Sequence, residues 1–210
     1  MNVVLFGATG MIGSRVLNEL VSRGHKVTAV VRDPSRVPQN PSVKAVKGDV
    51  LDTASVAEVV KGADAVISAY SPPPETPGKI VDATRSLMAG LKQAGVKRLI
   101  EVGGAGSLFV APNVRLVDAP DFPGEWKAIA LAHGDALDVL RGADLDWTYI
   151  SPAALIQPGE RRGKFRLATD NLIVDGEGNS KISAEDYAVA LVDELEKSEH
   201  VHQRFTIGYE

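Results

Sequence analysis

Gly7, Gly10 and Gly13 fall at three-residue spacing directly after the apolar run Val3-Val4-Leu5-Phe6, and apolar residues resume with helical periodicity from Met11 to Leu17. A strand that breaks into glycines and re-forms as a helix is suited to holding phosphate. The glycines let the chain turn sharply, let backbone N–H groups approach a pyrophosphate and let the helix pack close to the strand. The helix N-terminus adds partial positive charge. A glycine triplet alone also describes a tight turn with nothing bound. The context favours the phosphate loop, because a second strand, Lys26-Val27-Thr28-Ala29-Val30-Val31, follows after one helix and completes a βαβ unit. The expected contacts to a dinucleotide are then Gly7, Ala8, Thr9, Gly10, Met11, Ile12 and Gly13.

The end of that second strand bears on which dinucleotide. An acidic residue there accepts from a ribose 2′-OH, whereas a basic one accommodates a 2′-phosphate. The strand ends in Arg32, followed by Asp33, with Arg36 just beyond Pro34. Guanidinium forks suit phosphate. The placement favours NADP(H), with NAD(H) possible and a solvated arginine turn as the bland alternative. Asp49 and Val50 could flank the adenine, unless Asp49 only caps a helix. Ser68, Ala69 and Tyr70 end the fourth strand, where a dinucleotide crosses an open sheet.

The substrate side is read from strand ends in the same way. Gly103, Gly104, Ala105 and Ser107 follow the fifth strand; the glycines would admit a flat ring, and Ser107 could hydrogen-bond carboxamide or substrate, or sit in a small-residue turn. Lys127 could reach a nicotinamide ribose or remain solvated. Trp126 could stack on a flat substrate, although an aromatic in that position is more often core. His133, on a helix, faces either the pocket or the core or surface.

The elements that must position these groups alternate strand and helix through the chain, which predicts a doubly wound, mainly parallel sheet with helices on both faces. Strands are expected at Val43–Lys47, Ala65–Ser68, Arg98–Val102 and Trp147–Ser151, with a last one at Arg204–Ile207. Helices follow to about Lys61, from the proline-rich loop to Gly95, over Trp126–Arg141 and over Ala184–Lys197. Leu108–Gly124 reads as a long binding loop or lid. Residues 157–182 read as hairpin-like, part of a small C-terminal substrate-side extension.

A chain of 210 residues with 44% hydrophobic residues fits one such domain over residues 1–210. Net charge is −4 with scattered basic residues, so no nucleic-acid footprint exists. Zero cysteines exclude disulfides and thiol chemistry. The four histidines show no metal-binding spacing, and His200 and His202 read as solvated. The first residues enter a strand without a signal-like segment, and no apolar run reaches the ~18 residues of a membrane span, so the expectation is a soluble cytoplasmic protein.

Gly7-Ala8-Thr9-Gly10-Met11-Ile12-Gly13, Val31-Arg32-Asp33-Pro34, Gly48-Asp49-Val50, Val102-Gly103-Gly104-Ala105-Gly106-Ser107-Leu108 and Asp146-Trp147-Thr148 together resemble the atypical short-chain dehydrogenase/reductase superfamily. The nearest likeness is to bacterial NAD(P)H-flavin reductases related to biliverdin reductase B and NmrA-like proteins. It extends over Ile182–Ala188 and Arg204–Tyr209, essentially the whole chain. Pro152 and Ala153 resemble the superfamily's nicotinamide-flanking loop. The Tyr-x-x-x-Lys pair of tyrosine-dependent members is missing: Ala153 and Leu191 stand four residues after Tyr149 and Tyr187, and Tyr70 has no lysine at that spacing. Where the related subgroup often has Tyr-Lys, this chain has Trp126-Lys127. The resemblance implies an NADPH-dependent oxidoreductase passing hydride to a small flat acceptor such as a flavin or quinone, acting as monomer or homodimer. The alternative is a non-catalytic NADP(H)-binding redox sensor of NmrA-like type.

Overall fold

The computed structural model describes residues 1–210. In chain order the elements are β1 (Asn2–Phe6), α1 (Met11–Ser22), β2 (Lys26–Val31), β3 (Val43–Lys47), α2 (Thr53–Val59), β4 (Ala65–Ser68), α3 (Lys79–Ala94) and β5 (Arg98–Val102). Then come β6 (Phe109–Ala111), β7 (Val114–Arg115), α4 (Gly124–Leu140), β8 (Asp146–Ser151), β9 (Leu155–Gln157), β10 (Arg166–Ala168), β11 (Lys181–Ser183), α5 (Ala184–Lys197) and β12 (Gln203–Gly208). Eight strands form one sheet in the order β3-β2-β1-β4-β5-β8-β12-β10. Every pairing in it is parallel except β10 with β12, as the Rossmann-type expectation required.

A parallel sheet covered on both faces needs strands that are apolar on both faces. In β1, Val3 and Leu5 enter one core with Val16, Leu17 and Leu20 of α1 and Tyr187, Leu191 and Leu195 of α5. Val4 and Phe6 enter the other with Val56, Leu87, Leu91, Leu137 and Leu140 of α2, α3 and α4. The order reverses between β1 and β4, the switch point at which ligands of such sheets bind.

Two expectations change. Residues 157–182 do not form a hairpin: β9 pairs in parallel with β11, and β10 joins the main sheet beside β12. Glycines read as hairpin punctuation instead let a long connection cross between two sheets. The segment after β5 is not featureless, because β6 and β7 pair as a small antiparallel hairpin.

The close approach of α2 to α3 depends on Gly90, where a Cβ would lie 2.5 Å from Val56 Cγ1 and 3.1 Å from the backbone N of Ala57. Gly90→Ala gains about 1 kcal/mol of helix propensity but overpacks this contact at a cost of about 1–3 kcal/mol. Because the backbone of Ala57 cannot rotate away as a side chain does, overpacking should win and the thermal midpoint should fall. A higher midpoint in calorimetry would refute this packing.

Candidate functional site

The sequence-predicted cofactor residues gather along one edge of the sheet. Gly7–Gly10 follow β1, Arg32 follows β2, Asp49 follows β3, Ser68 ends β4, Gly103 follows β5 and Pro152 follows β8. These are the carboxyl ends of six neighbouring parallel strands, so a ligand laid across them could touch each in turn.

The glycines of the first loop do different jobs. Gly7 has φ +77°, and a Cβ there would fall 2.4 Å from Ala69 O, so the loop presses directly on the chain leaving β4. A Cβ at Gly13 would lie 2.0 Å from Gly7 O, so α1 can approach β1 only without a side chain there. Gly10 is different: its Cβ would meet only Gly7 O, at 3.4 Å. The fold leaves room at Gly10, and that room lies at the start of α1. The helix has no side-chain cap and no acid in its first turn, which leaves its first N–H groups free for an anion. An uncapped helix start, open space at its N-cap and a glycine floor fit the pyrophosphate of a dinucleotide.

Arg32 and Arg36 are both exposed. Asp33 is committed elsewhere: it caps the 3-10 turn Pro34–Arg36, accepting from Ser35 N at 3.1 Å and from Ser35 Oγ at 2.7 Å. These bonds hold its carboxyl below the usual range, with the charge of Arg36 adding to the effect. Asp49 is exposed and accepts from Leu51 N at 2.9 Å in the turn before α2, whose N-cap is Asp52, and Val50 is buried. Tyr70 is half-buried, and desolvation and then the charge of Asp49 raise its pKa, against the lowering effect of Arg32. Arg32, Asp49 and Tyr70 therefore share one corner of the site.

On the substrate side the glycines after β5 have an internal reason. A Cβ at Gly103 would strike the Tyr149 ring at 2.1 Å, and one at Gly104 would lie 2.8 Å from His133 Cβ. Close packing on α4 and β8 thus accounts for them without a flat ligand. Ser107 Oγ accepts from Arg204 Nη1 at 3.0 Å, while Arg204 also pairs with Asp170. Lys127 is exposed in the first turn of α4. Trp126, expected more often as core, is instead 61% exposed beside it. His133 has its Nδ1 3.2 Å from the Tyr149 hydroxyl, which itself donates to His133 O at 2.8 Å. Burial holds His133 down to about 4, so the ring is neutral at ordinary pH. It lines a partly open recess of about 10 Å³, too small for a flat substrate. Pro152 and Ala153 are buried behind β8. His200, expected in solvent, is held at 2.8 Å by the buried Glu194. A depression of about 590 Å³ lies elsewhere, at the amino ends of β8 and β12 among Arg141, Trp147, Asp170 and Arg204.

Residue-by-residue reading missed a polar row under the site. Ser68 of β4, Glu101 of β5, Tyr149 of β8 and Arg204 of β12 are register partners across four adjacent strands, which puts their side chains on one face. Glu101 is 5% exposed, and Thr84 Oγ1 donates to it from α3 at 3.2 Å. Desolvation raises its carboxyl to about 7, against the lowering effect of the Thr84 bond. Ser151, at the end of β8, is buried with a hydroxyl that has no partner. The signal for Glu101 was available in Leu99-Ile100-Glu101-Val102, one acid inside an otherwise apolar central strand.

A mainly parallel sheet with a glycine-floored, uncapped helix at its switch point defines a dinucleotide-binding Rossmann protein. Comparison with known proteins agrees: the model of a family described as NAD(P)H-binding matches residues 7–198, and the chain belongs to that family, within the atypical short-chain dehydrogenase/reductase-like superfamily. Three solved structures lie close to it over nearly their full lengths. A protein of Burkholderia pseudomallei, provisionally named as exported, is 51% identical with a TM-score of 0.92, covering 100% of both chains. One of Bacteroides thetaiotaomicron, provisionally named an epimerase, is 47% identical with a TM-score of 0.93, covering 99% of this chain and 96% of its own. One of Streptococcus pneumoniae, provisionally named an NADH-flavin reductase, is 36% identical with a TM-score of 0.90, covering 100% of both. Three names on one architecture show that the likeness fixes the family and leaves the reaction to the site. No helix is long and apolar enough to cross a membrane, and no cluster of potential metal ligands occurs.

The two kinds of glycine separate in a stability-and-binding experiment. Gly13→Ala should destabilise strongly, by about 3 kcal/mol or more, because its clash is with backbone. Gly10→Val should fold nearly as the wild type yet lose binding of both nicotinamide dinucleotides in titration calorimetry. Normal titration by a folded Gly10→Val protein would place the phosphates elsewhere.

Proposed function

We propose that this chain is an NADPH-dependent reductase of a small flat acceptor such as a flavin or quinone, with residues 1–210 acting as one cytoplasmic unit. The observation that carries the reading is the uncapped, glycine-floored start of α1 beside an exposed Arg32 whose acidic neighbour is already engaged. The first-turn N–H groups of α1 would hold the pyrophosphate. Arg32 and Arg36 would hold a 2′-phosphate, while capping ties the Oδ1 of Asp33 to Ser35 and leaves its Oδ2 exposed. Tyr70 and Asp49 would line the adenosine side. A bound nicotinamide would supply hydride, and nothing in the chain duplicates that chemistry.

Residues expected near the nicotinamide end support a flat acceptor. No Tyr-x-x-x-Lys pair stands there to protonate a carbonyl oxygen. The exposed Trp126 ring, in the first turn of α4, offers a stacking surface for a planar molecule, with Lys127 next to it as a cation. Ser107 is engaged by Arg204, and it would help to fix the loop after β5 more than touch substrate. The name carried by the pneumococcal relative supports a flavin among the acceptors.

Three outcomes test the reading. NADPH should bind more tightly than NADH, and Arg32→Ala should remove most of the difference, a charge-assisted contact of about 1.5–3 kcal/mol; equal affinities in the wild type would overturn the NADP preference. In stopped-flow experiments, a quinone and a free flavin should accelerate oxidation of bound NADPH above the protein-free rate. Tight NADPH binding without any acceleration would make the chain a dinucleotide-binding sensor instead of an enzyme. In the same apparatus Trp126→Ala should raise the acceptor KM several-fold, in line with the ~0.5–1.5 kcal/mol of an aromatic stack, and leave the NADPH Kd unchanged. An unchanged acceptor KM would remove Trp126 from the site.

A further inference from the structure

The connection that leaves β9 is held almost entirely by side chains. Residues 158–165 belong to no helix or strand, and none of the backbone–backbone hydrogen bonds of turns and loops falls in them. Their anchors come from two helices. Glu185 Oε2, in the first turn of α5, accepts from Gly159 N at 2.7 Å, and Asp186 Oδ1 accepts from Gly163 N at 2.8 Å. The hydroxyl of Ser183, the N-cap of α5, donates to Glu160 O at 2.7 Å. Arg161 reaches the other way and donates to both carboxylate oxygens of Glu19, on α1, at 2.9 Å. A segment held by a few side chains opens at lower free energy than the helices and strands around it.

The segment lies at the ligand end of the sheet. Helix α1 starts where β1 ends, and α5 leads into the parallel strand β12, so both helices begin at the carboxyl ends of the strands. One side chain joins the segment to the helix whose start is the phosphate cradle. Besides Gly159, Glu185 accepts from Arg15 Nε at 3.0 Å. Nη1 of that arginine donates to Met11 O at 3.2 Å and to Ser14 Oγ at 3.2 Å, which braces the guanidinium on the first turn of α1. Met11 directly follows Gly10, the glycine with open space at the helix start. Against desolvation, the bonds from Arg15 and Gly159 hold the Glu185 carboxyl below the usual range, so the link is an ion pair at neutral pH. A continuous chain of contacts thus runs from the cradle through Arg15 and Glu185 to Gly159.

We propose that residues 158–164 are a strap at the α1–α5 edge of the dinucleotide crevice, latched by Glu185, and that latching and dinucleotide binding reinforce each other through Arg15. The proposal rests on the dinucleotide site of the reading above and is independent of the acceptor. A pyrophosphate on the first-turn N–H groups fixes the turn from Met11 to Ser14. That turn carries the acceptors on which Arg15 rests, and Arg15 orients the carboxylate that holds Gly159. An effect on affinity passed one way is passed back by the same factor, so the latched strap retains the dinucleotide as much as the dinucleotide retains the strap. Glu185 is a positioning residue here, acting through Arg15 and touching no ligand.

The strap carries its own probe. Arg161, Arg162 and Lys164 are exposed and none precedes a proline, so trypsin cuts there when the segment leaves its anchors, at a rate that follows the open population. Cleavage between residues 161 and 165, read by mass spectrometry of the fragments, is compared with and without saturating NADPH for the wild type, Glu185→Gln, Arg15→Met and Arg161→Gln, and NADPH Kd is measured by titration calorimetry. NADPH should slow this cleavage in the wild type about fivefold, the lower end of typical coupling between sites. Glu185→Gln and Arg15→Met should be cut faster, at a rate that NADPH no longer changes, and their NADPH Kd should rise by up to about the same fivefold. Arg161→Gln loosens the strap without touching the Arg15–Glu185 link, so it should be cut faster yet keep the NADPH-dependent ratio. A merely structural role for Glu185 would leave that ratio the same in all four proteins. Wild-type cleavage unaltered by bound NADPH, or a wild-type ratio in Glu185→Gln, overturns the coupling and leaves the dinucleotide reading intact. If Glu185→Gln does not fold, a wild-type ratio in Arg15→Met overturns it. A wild type that binds no nicotinamide dinucleotide overturns the reading and the coupling together.

Discussion

The contact on which the rest of the structure depends is backbone against backbone at the first loop. Gly7 must turn with φ +77° while pressed on Ala69 O, and Gly13 must pass Gly7 O at a distance that admits no side chain. Those two contacts set the height of α1 over β1 and tie the loop to the end of β4. The switch point of the sheet lies between the same two strands, so the crevice that topology opens there is floored by the loop itself. A ligand site results because the space these contacts leave over, at Gly10, faces the unpaired N–H groups of a helix start. Packing and binding are thus divided among three glycines that look equivalent in the sequence.

The second constraint acts across the sheet. A central parallel strand is buried on both faces, and β5 nonetheless carries Glu101 at the level of Ser68 and Tyr149. Burying a carboxyl is tolerable when it keeps its proton, since the neutral acid has less hydration to lose. The neighbours are consistent with that state: two phenols, a neutral imidazole and a threonine hydroxyl, with no cation among them. The glycines after β5 belong to the same arrangement. Gly103 and Gly104 let the Tyr149 ring and His133 close over the row, so a segment that reads as a ligand floor is first a lid on buried polar groups.

How much of this was legible follows from the range of the signal. Strands β1 to β5 and β8 stand within a residue of where alternation and apolar runs put them, because the pattern is local; all but the edge strand β3 are also largely buried. The parallel pairing of β9 with β11 was not legible, because it joins short segments separated by a long connection whose glycines serve a crossing as well as a hairpin. Whether Trp126 stacks or packs as core was left open by the sequence, because an aromatic does not by itself reveal which face of a helix start it occupies; α4 begins at Gly124, which leaves Trp126 in an exposed first turn. Glu101 was visible as an anomaly, yet its partner Thr84 comes from α3 and its neighbours His133 and Tyr149 from α4 and β8, and only the closed fold brings those together.

The two ends of the sheet differ in how charge is handled, and the difference bears on binding more than the net charge of −4 does. At the amino ends of β5, β8 and β12 charges are paired with each other: Arg98 with Glu194 at 2.7 Å, Glu194 with His200, and Arg141 with Asp138. The arginines lining the large depression there, Arg141 and Arg204, are paired with Asp138 and Asp170. At the carboxyl end, Arg32 and Arg36 are exposed, Asp33 is occupied as a cap, and α1 points an uncapped N-terminus into the crevice. An anion approaching this mildly acidic protein meets there a helix start and two exposed arginines together, so position, through that local field, decides what the whole-chain charge cannot.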